Sequence, residues 1–484
     1  MQLDALVRRI ERAPAGPKIA AFFDYDGTVI SGYSAGTFYR HRLRTMDLGP
    51  TELVRTLLAA ARGIRTSDEF REFLDLSLAS LAGKPEKDVR ALGEQLFKDE
   101  IGGRLHLEVW RLIEAHRLRG HRIVLASSAT AAQVEPMARE MGATDVLCTR
   151  LEVQGGCFTG KVDGKPLWSE GKGEAVREFA AREKVDLSRC YAYANGDEDI
   201  DFLRSVGHSV AVSPAPTMER AAVRYGWPIL RCEDRGGNPS FSEIARTAGF
   251  YGGMAAASWT SLALGLLNRS KRQFLDSSIS LGSDLALAFA GVDVSVRGEE
   301  HLWSARPCVF VFNHQSKIDA IIVGKLLRAG FTGVAKKEAA AVPGFGQFFR
   351  FAGVAFVDRG NIAQAKAALA PAVAKIRGEG LSLVIAPEGT RSPTPRLGPF
   401  KKGAFHIAMQ AKVPMVAVVL RNAGEVMWRS AQTIRPGTVD VVVHPPIDTR
   451  KWRIETINDH VREVRDLFVR TLDDWPTDGA RILR

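Results

Sequence analysis

The stretch that decides how the C-terminal half folds is Val309-Phe310-Val311-Phe312-Asn313-His314-Gln315-Ser316-Lys317-Ile318-Asp319. Its first four residues are β-branched or aromatic, which predicts a short buried strand. A helical apolar pattern then starts at Asp319, so His314 is expected at a strand exit and Asp319 at a helix start. This pair has two interpretations. Either Asp319 orients an imidazole that takes a proton from a hydroxyl, or both residues only cap the helix.

Three further blocks follow in order. A strand over 353–357 precedes Asp358-Arg359, a strand over 381–386 precedes Pro387-Glu388-Gly389-Thr390-Arg391-Ser392, and an apolar strand covers 413–419. With these blocks, the chain from about 274 to 450 resembles the 1-acylglycerol-3-phosphate acyltransferases of the glycerophospholipid acyltransferase family. The resemblance disfavours the helix-cap interpretation of His314.

The resemblance implies a direct acyl transfer. His314 would be the general base on the free hydroxyl of 1-acylglycerol-3-phosphate (lysophosphatidate), oriented by Asp319, and the hydroxyl would attack the thioester of acyl-CoA or acyl-carrier protein. Glycerol-3-phosphate or another lysophospholipid remains an alternative acceptor. The implied substrate-binding residues are Lys337, Arg359, Glu388, Gly389, Thr390 and Arg391. Guanidinium groups suit phosphate, whereas Lys337 is equally well read as a solvated surface lysine.

The N-terminal third contains a second set of candidate residues. A short apolar strand over 18–23 ends in Asp24-Tyr25-Asp26-Gly27-Thr28. Two carboxylates at a strand end suit metal-assisted phosphoryl transfer, in which Asp24 attacks phosphorus and Asp26 exchanges protons with the leaving oxygen and water. Asp and Gly also form ordinary turns, so this motif is weak by itself.

Three further pieces strengthen the motif. Ser127 ends a strand over 122–126, Lys172 opens an amphipathic stretch, and Asp197 follows a strand over 191–194. Together the four pieces make residues 18–230 resemble a haloacid dehalogenase superfamily phosphatase of the phosphoserine-phosphatase-like branch. The resemblance implies Mg²⁺ held by Asp24, Asp26 and Asp197, phosphate contacts from Ser127 and Lys172, and a helical cap at about 32–100.

Two departures from that branch argue against phosphoserine as the substrate. The first carboxylate after Asp26 is Asp47, and Ile200 stands where the branch has Asn before the last Asp. A regulatory module that senses phosphate, without hydrolysing it, is the alternative for this half.

The middle of the chain predicts a hinge and a membrane contact. A polar, Gly-containing stretch over 231–239 is a linker, and the uncharged stretch over 247–268 is followed by Arg269, Lys271 and Arg272. The uncharged stretch is long enough to span a bilayer, to dip into one leaflet or to form a buried soluble helix. The next apolar stretch carries Asp276 and Asp284, which favours two helices lying on the cytoplasmic leaflet.

Composition limits the possible partners. The 484 residues carry a formal net charge of +11 and five scattered cysteines. The charge favours an anionic partner such as a membrane surface over a solvated surface without a partner. Aromatic residues do not alternate with the basic ones, which disfavours nucleic acid. The cysteine pattern favours a reducing cytosol, and Met1–Pro14 lacks a signal core. We therefore expect the protein at the cytoplasmic face of the plasma (inner) membrane.

The predicted architecture is α/β throughout. A Rossmann-like parallel-sheet phosphatase core with its helical cap occupies 1–235. A linker and a membrane-associated helix occupy 236–273, and a second α/β domain, the acyltransferase, occupies 274–484.

Overall fold

The computed structural model describes residues 3–45, 66–233, 239–341, 345–357, 362–429 and 431–483. It divides into two compact units, Met1–Asn238 and Pro239–Arg484. The division falls three residues beyond the boundary expected from the sequence.

The first unit alternates strands and helices. Its elements in chain order are α1 (Leu3–Glu11), β1 (Ala20–Phe23), α2 (Ser34–Arg44), α3 (Ser67–Leu78), α4 (Glu86–Asp99), α5 (Leu107–Leu118), β2 (Arg122–Thr130), α6 (Ala131–Met141), β3 (Asp145–Gln154), β4 (Cys157–Asp163), α7 (Glu170–Glu183), β5 (Tyr191–Ala194), α8 (Ile200–Arg204), β6 (His208–Val212), α9 (Pro216–Tyr225) and β7 (Ile229–Leu230).

These strands form one seven-stranded sheet in the order β4-β3-β2-β1-β5-β6-β7. All neighbours pair in parallel except β3 and β4. β1 lies in the middle, and its four residues are fully buried because apolar clusters cover both faces of the sheet. Phe22 packs edge-on against Phe179 on one face, and Phe23 stacks on Tyr193 on the other. A strand buried on both faces is uniformly apolar, which is why β1 was recognisable from sequence.

The segment expected to form a cap is helical in its described part. Thr66 caps α3 through a reciprocal pair of hydrogen bonds with Glu69. Phe70 stacks on Trp168 with ring centres 5.4 Å apart, and Leu74 belongs to the same small cluster. Residues 46–65 of the expected cap lie outside the described residues.

The second unit begins with two long helices. Its elements are α10 (Phe241–Leu267), α11 (Lys271–Ala290), β8 (Val292–Arg297), β9 (Val309–Phe312), α12 (Asp319–Leu327), β10 (Phe331–Lys336), α13 (Phe345–Phe351), β11 (Ala355–Val357), α14 (Ile362–Glu379), β12 (Ser382–Ile385), α15 (Gly403–Ala411), β13 (Met415–Leu420), α16 (Ala423–Val426), β14 (Gly437–Val443), α17 (Ile457–Asp473) and β15 (Arg481–Leu483).

Its sheet has eight strands in the order β11-β10-β12-β9-β13-β14-β8-β15. The run from β11 to β13 is parallel, whereas β14 and β15 each pair antiparallel with one neighbour. The predicted strand at 309–312 is confirmed as β9, which is buried between β12 and β13. Because β9 to β12 are parallel, the residues that follow them emerge at one edge of the sheet.

The helix pair α10 and α11 packs through small residues. The buried positions of α10 include Gly253, Ala257, Ser261 and Gly265, spaced four residues apart. Phe274 and Phe289 of α11 lie so close to Gly265 and Gly253 that an added Cβ would come within 3 Å. None of the described helices has the length and apolarity that crossing a bilayer requires.

Candidate active sites in the two units

The candidate site of the first unit lies where β1, β2 and β5 end. Asp24 follows β1, and its backbone N–H donates to Tyr193 O in β5 at 2.9 Å. The ammonium of Lys172, on α7, donates to Asp24 Oδ1 at 2.8 Å and also to Asp199 Oδ1. Burial opposes the charge of Lys172, but Asp199 and Asp24 outweigh it and raise the pKa of this lysine. Burial also raises the pKa of Asp199 against the opposing effect of Lys172.

Asp26 is held differently from Asp24. Its Oδ1 accepts from the backbone N–H of Ser34 at 2.6 Å, and its Oδ2 accepts from the Ser34 hydroxyl at 3.1 Å. Burial raises the pKa of Asp26 to about 6; the hydrogen bonds from Ser34 partly oppose this shift, and the charge of Asp24 adds to it. A carboxyl group with a pKa near neutrality can both give and take a proton.

Asn195 completes this strand edge. The Thr28 hydroxyl lies 3.0 Å from Asp24 Oδ2 and 3.1 Å from Asn195 Oδ1, so it joins the ends of β1 and β5. Gly27 has φ +79°, and a Cβ there would lie 2.2 Å from Asn195 Nδ2. Glycine is therefore required at this position for two reasons, its backbone angle and the space that Asn195 fills.

Asp197, the third predicted metal ligand, has a backbone partner. Its Oδ1 accepts from the backbone N–H of Met218 in the first turn of α9, at 2.7 Å. The acid that shares Lys172 with Asp24 is Asp199, and the polar residue that directly follows β5 is Asn195. Sequence reasoning chose the Gly-Asp pair and passed over Asn195, although its place right after the strand was the available signal.

Ser127 lies inside β2, which continues to Thr130 past the predicted strand end. It is buried, and its Oγ accepts from Ala129 N at 3.1 Å. The pairing of β2 with β3 shifts between Ser127 and Thr130, which marks an irregular strand end next to β1. A hydroxyl that already accepts from the backbone keeps its own hydrogen for a phosphate oxygen.

The residues at this edge fit a hard divalent cation. Asp24, Asp26 and Asn195 offer carboxylate and amide oxygens, the ligands that Mg²⁺ prefers, and Mg²⁺ is commonly held by only one or two carboxylates plus substrate phosphate. No cluster of three or more His, Cys, Asp or Glu side chains with metal-binding geometry occurs in the described part of the chain.

In the second unit, His314 and Asp319 form the expected pair. His314 Nδ1 lies 2.8 Å from Asp319 Oδ2, and a quarter of the histidine side chain is exposed while the aspartate is fully buried. The same Oδ2 accepts from the backbone N–H groups of Gln315 and Ser316 at 2.7 and 2.8 Å. Since a carboxylate only accepts, Nδ1 carries the hydrogen and Nε2 has the lone pair.

Glu388 supports this histidine from the segment that follows β12. Its Oε1 accepts from the backbone N–H of His314 at 2.7 Å, and its Oε2 accepts from the Ser392 hydroxyl and Gly398 N, both at 2.8 Å. Burial raises the pKa of Glu388, and these donors oppose the shift. Both oxygens are engaged within the chain, so the geometry favours a positioning role over the predicted contact with substrate.

Asn313 fixes the other side of the same loop. Its Nδ2 donates to Leu420 O at 2.7 Å, and its Oδ1 accepts from Leu420 N at 2.8 Å. The Ser316 hydroxyl donates to the carbonyl oxygen of Met427. The loop from 313 to 319 is thus bonded through Glu388 to the segment that follows β12, and through Asn313 to β13.

Arg391 lies in a cationic cluster with Lys317 and Arg429. Its Nη1 donates to Arg429 O at 3.0 Å, and Arg429 donates back to Arg391 O. Burial, then the charge of Arg429, lowers the pKa of Arg391, whereas Asp319 raises it. Burial and the charge of Arg391 likewise lower the pKa of Lys317. Lys317 and Arg429 were not predicted; only folding brings them to Arg391.

The remaining predicted residues divide into three cases. Lys337 follows β10 at the same sheet edge and is exposed. Gly389 has φ +74° beside the Lys401 side chain, and Thr390 after it is exposed. Arg359 lies outside the described residues, two positions beyond the end of β11.

Comparison with known proteins matches the two units separately. The model of the haloacid dehalogenase-like hydrolases matches residues 21–204, and the model of the acyltransferase family matches residues 293–421. The chain therefore contains a haloacid dehalogenase-like hydrolase domain at residues 21–204 and an acyltransferase domain at residues 293–421. The two matches do not overlap, so the chain joins one domain of each kind.

Particular relatives follow the same division. A 1-acyl-sn-glycerol-3-phosphate acyltransferase of Limnanthes alba is 38% identical over 189 residues, 39% of this chain and 66% of that enzyme. A probable phosphatase of Mycobacterium tuberculosis is 31% identical over 52% of this chain and 90% of its own length. The crystal structure of the 1-acyl-sn-glycerophosphate acyltransferase of Thermotoga maritima covers 49% of this chain and 97% of that chain, with 24% identity and a TM-score of 0.41. The chain thus spans just under two thirds of the length of the Limnanthes enzyme.

Proposed function

We propose that the second unit acylates 1-acylglycerol-3-phosphate to give phosphatidate, using acyl-CoA or acyl-carrier protein as donor. The observation that carries the proposal is the partly exposed His314, oriented by the buried Asp319, with the cationic cluster of Lys317, Arg391 and Arg429 beside that aspartate. A base for a hydroxyl and a cluster for a phosphate are the two groups that this acceptor needs. The similarity to the Limnanthes enzyme, whose name states this acceptor, supports the choice.

In the proposed reaction, the Nε2 lone pair of His314 takes the proton of the acceptor hydroxyl. The hydroxyl oxygen forms a bond to the thioester carbonyl carbon, and the C–S bond then breaks. The buried carboxylate of Asp319 stabilises the imidazolium, which returns the proton to the leaving thiolate. No acyl-enzyme is required, because the acceptor itself is the nucleophile.

We propose that the first unit is a Mg²⁺-dependent phosphomonoesterase. The Asp24 carboxylate attacks phosphorus and forms an aspartyl phosphate, while Asp26 donates a proton to the leaving oxygen. Asp26 then takes a proton from the water that hydrolyses the aspartyl phosphate. Lys172 holds Asp24 in place, and Asp24 and Asn195 would hold Mg²⁺, which supplies positive charge beside the phosphate; Asp26, bonded to Ser34, keeps its carboxyl for proton transfer.

Two substitutions, each expected to remove one activity and leave the other, test both proposals. His314→Ala is expected to reduce acyl transfer at least 1,000-fold and leave phosphomonoester hydrolysis within twofold of wild type. Asp24→Asn is expected to do the reverse. Acyl transfer is measured with lysophosphatidate, glycerol-3-phosphate and lysophosphatidylcholine, so that the same assay ranks the acceptors.

Specific results would contradict each part. A His314→Ala enzyme with full acyl transfer would remove the base assignment. Tight phosphate binding without hydrolysis of any phosphomonoester, with Mg²⁺ present, would favour the phosphate-sensing alternative for the first unit. The intact pair of Asp24 and Asp26, with the raised pKa of Asp26, favours hydrolysis.

We also propose that α10 and α11 rest on the cytoplasmic face of an anionic membrane. The outer side of α10 exposes large apolar side chains, including Trp259 at 73%, Leu266 at 69% and Leu267 at 80%. Arg269 and Lys271 follow at the turn between the two helices and are exposed. Apolar residues beside basic ones suit the boundary between acyl chains and headgroups. This arrangement would bring a lipid acceptor to the acyltransferase unit.

A further inference from the structure

A cavity of about 470 Å³ lies in the first unit, away from the candidate catalytic residues. Four arginines surround it: Arg8, Arg9 and Arg12 on or just after α1, and Arg189 just before β5. All four are exposed side chains that a soluble ligand can reach.

The arginines bring an excess of positive charge, of which only the charge of Arg189 is partly offset, by Asp186. Among the described residues, no ion pair is recorded for any of the four, and no Asp or Glu lines the cavity. The acid nearest to Arg189 along the chain, Asp186, accepts from the N–H and hydroxyl of Ser188. Guanidinium groups stay charged at any physiological pH, so converging arginines repel one another until an anion binds among them.

The floor of the cavity is less polar than its rim. Ile19, Ala13 and the Tyr191 ring line it, and His208 Nδ1 accepts from Arg9 Nη2 at 2.7 Å. This bond aims the Arg9 side chain at the start of β6. A cationic rim above an apolar floor suits an organic phosphate better than inorganic phosphate, because the floor gains by covering the organic part.

The cavity is separate from the candidate phosphatase site. Ile19, Tyr191 and His208 lie at or just before the beginnings of β1, β5 and β6, whereas Asp24 follows the other end of β1. A strand of four residues separates the two edges by about 13 Å. One phosphate group cannot contact both places.

We propose that this cavity is a second anion site, which binds a phosphate-bearing organic molecule independently of catalysis. The ligand is either a soluble phosphate ester or a lipid headgroup, since both present the same dianion. Neither proposed enzymatic activity requires this site. The anion-site proposal can therefore be refuted without refuting the enzymatic proposals, and the reverse.

The test uses full-length protein and phenylphosphonate, a dianion with an aromatic body and a C–P bond that phosphatases of this type do not hydrolyse. Calorimetric titration is expected to show at least tenfold weaker binding at this site in Arg8→Ala/Arg12→Ala. The matched control is Arg220→Ala/Arg224→Ala, which removes the same charge from exposed positions on α9 and is expected to stay within twofold. Inorganic phosphate is expected to bind more weakly than phenylphosphonate.

Hydrogen exchange locates the bound ligand. Protection of amides in residues 5–14 and 187–191 supports the proposal, whereas protection confined to residues around Asp24 and Lys172 overturns it. Binding of phosphatidate vesicles that is lost in Arg8→Ala/Arg12→Ala, without phenylphosphonate binding, identifies a lipid headgroup as the ligand. Equal affinity of wild type and Arg8→Ala/Arg12→Ala for both probes overturns the proposal. Because the substituted side chains are exposed, retained phosphatase activity serves as the check on folding.

Discussion

A buried chain of hydrogen bonds in the first unit assigns its own hydrogens. His121 Nε2 lies 2.9 Å from Pro14 O, a pure acceptor, so Nε2 donates and Nδ1 of the neutral ring accepts. His116 Nδ1, 2.8 Å away, must therefore donate, and its Nε2 accepts from the Tyr193 hydroxyl at 2.8 Å. An extra proton on His121 would set two N–H groups against each other, and one on His116 would turn the Tyr193 hydroxyl from donor to acceptor and charge a buried ring.

This network predicts a pH dependence of stability. Burial lowers the pKa of His116 well below its usual value, and the neighbouring His121 adds to the effect. Above about pH 6.5 His116 is neutral in both the folded and the unfolded state. Below that pH only the unfolded state binds a proton at His116, so the free energy of unfolding falls by about 1.4 kcal/mol for each unit by which the pH is lowered. We expect His116→Gln to reduce the difference between free energies of unfolding of the first unit at pH 7 and pH 5. An unchanged difference would show that His116 is protonated in the folded state. Denaturant titration at both pH values measures it.

Gly27 and Gly83 have nearly the same backbone angle but different surroundings. Their φ angles are +79° and +78°, but a Cβ on Gly83 meets nothing within 4 Å, whereas one on Gly27 overlaps Asn195. Gly83→Ala should cost about 1 kcal/mol from backbone strain alone. Gly27→Ala should cost more and should also reduce phosphatase turnover at least tenfold. Equal costs, with turnover retained in Gly27→Ala, would show that Asn195 moves freely.

Individual residues also mark the limit of prediction from sequence. The structure pairs Asp24 with Lys172 and His314 with Asp319. Asp24 and His314 were the easier of these to predict, because each follows an apolar strand that is recognisable by itself. Asp199 and Asn195 were missed, since a cluster of acids offers several registers and only the fold selects one. Arg429 joins Arg391 from a distance of 38 residues, which no local pattern reveals.

At the scale of elements, α10 presents two unlike sides. Its inner side has small residues that fit against α11, and its outer side exposes Trp259 and Leu266. Residues of both sides belong to the same long uncharged run of sequence. Which residues face inward cannot be predicted until the packing partner, α11, is known. The helix begins at Phe241, before the uncharged stretch over 247–268, and its first turns include Glu243 and Arg246.

We expect Trp259→Glu/Leu266→Glu to weaken binding to phosphatidylglycerol vesicles at least tenfold, because two charges replace apolar side chains at the proposed lipid contact. Cosedimentation measures the bound fraction. Leu118→Glu/Val223→Glu is the control, since it makes the same charge change at exposed apolar positions of the first unit. If both double variants lose the same affinity, net charge alone drives the binding and the apolar side of α10 has no part in it.

At the scale of the whole molecule, each unit has its own sheet and its own apolar clusters. The sequence predicted both sheets as α/β, since each has a central strand of uninterrupted apolar residues. It did not predict the antiparallel partners β14 and β15 or the hairpin of β3 and β4, because strand order depends on contacts between distant segments. The two-unit division was predictable from the polar linker over 231–239.

This organisation predicts that the units fold alone. Residues 1–238 and 239–484, expressed separately, should each unfold cooperatively and retain the activity of the corresponding unit within threefold. Circular dichroism during denaturation and the two enzymatic assays measure this. Aggregation of either fragment, reversed by coexpression with the other, would contradict the prediction.

The close fit of Asn195 over Gly27 links two positions that lie 168 residues apart. In a relative of this chain, a side chain at position 27 fits only if the amide at position 195 has become smaller or has moved away. The change at position 195 must therefore come first during evolution. Sequences in which these two sites vary independently would therefore have a different arrangement of side chains at this strand edge.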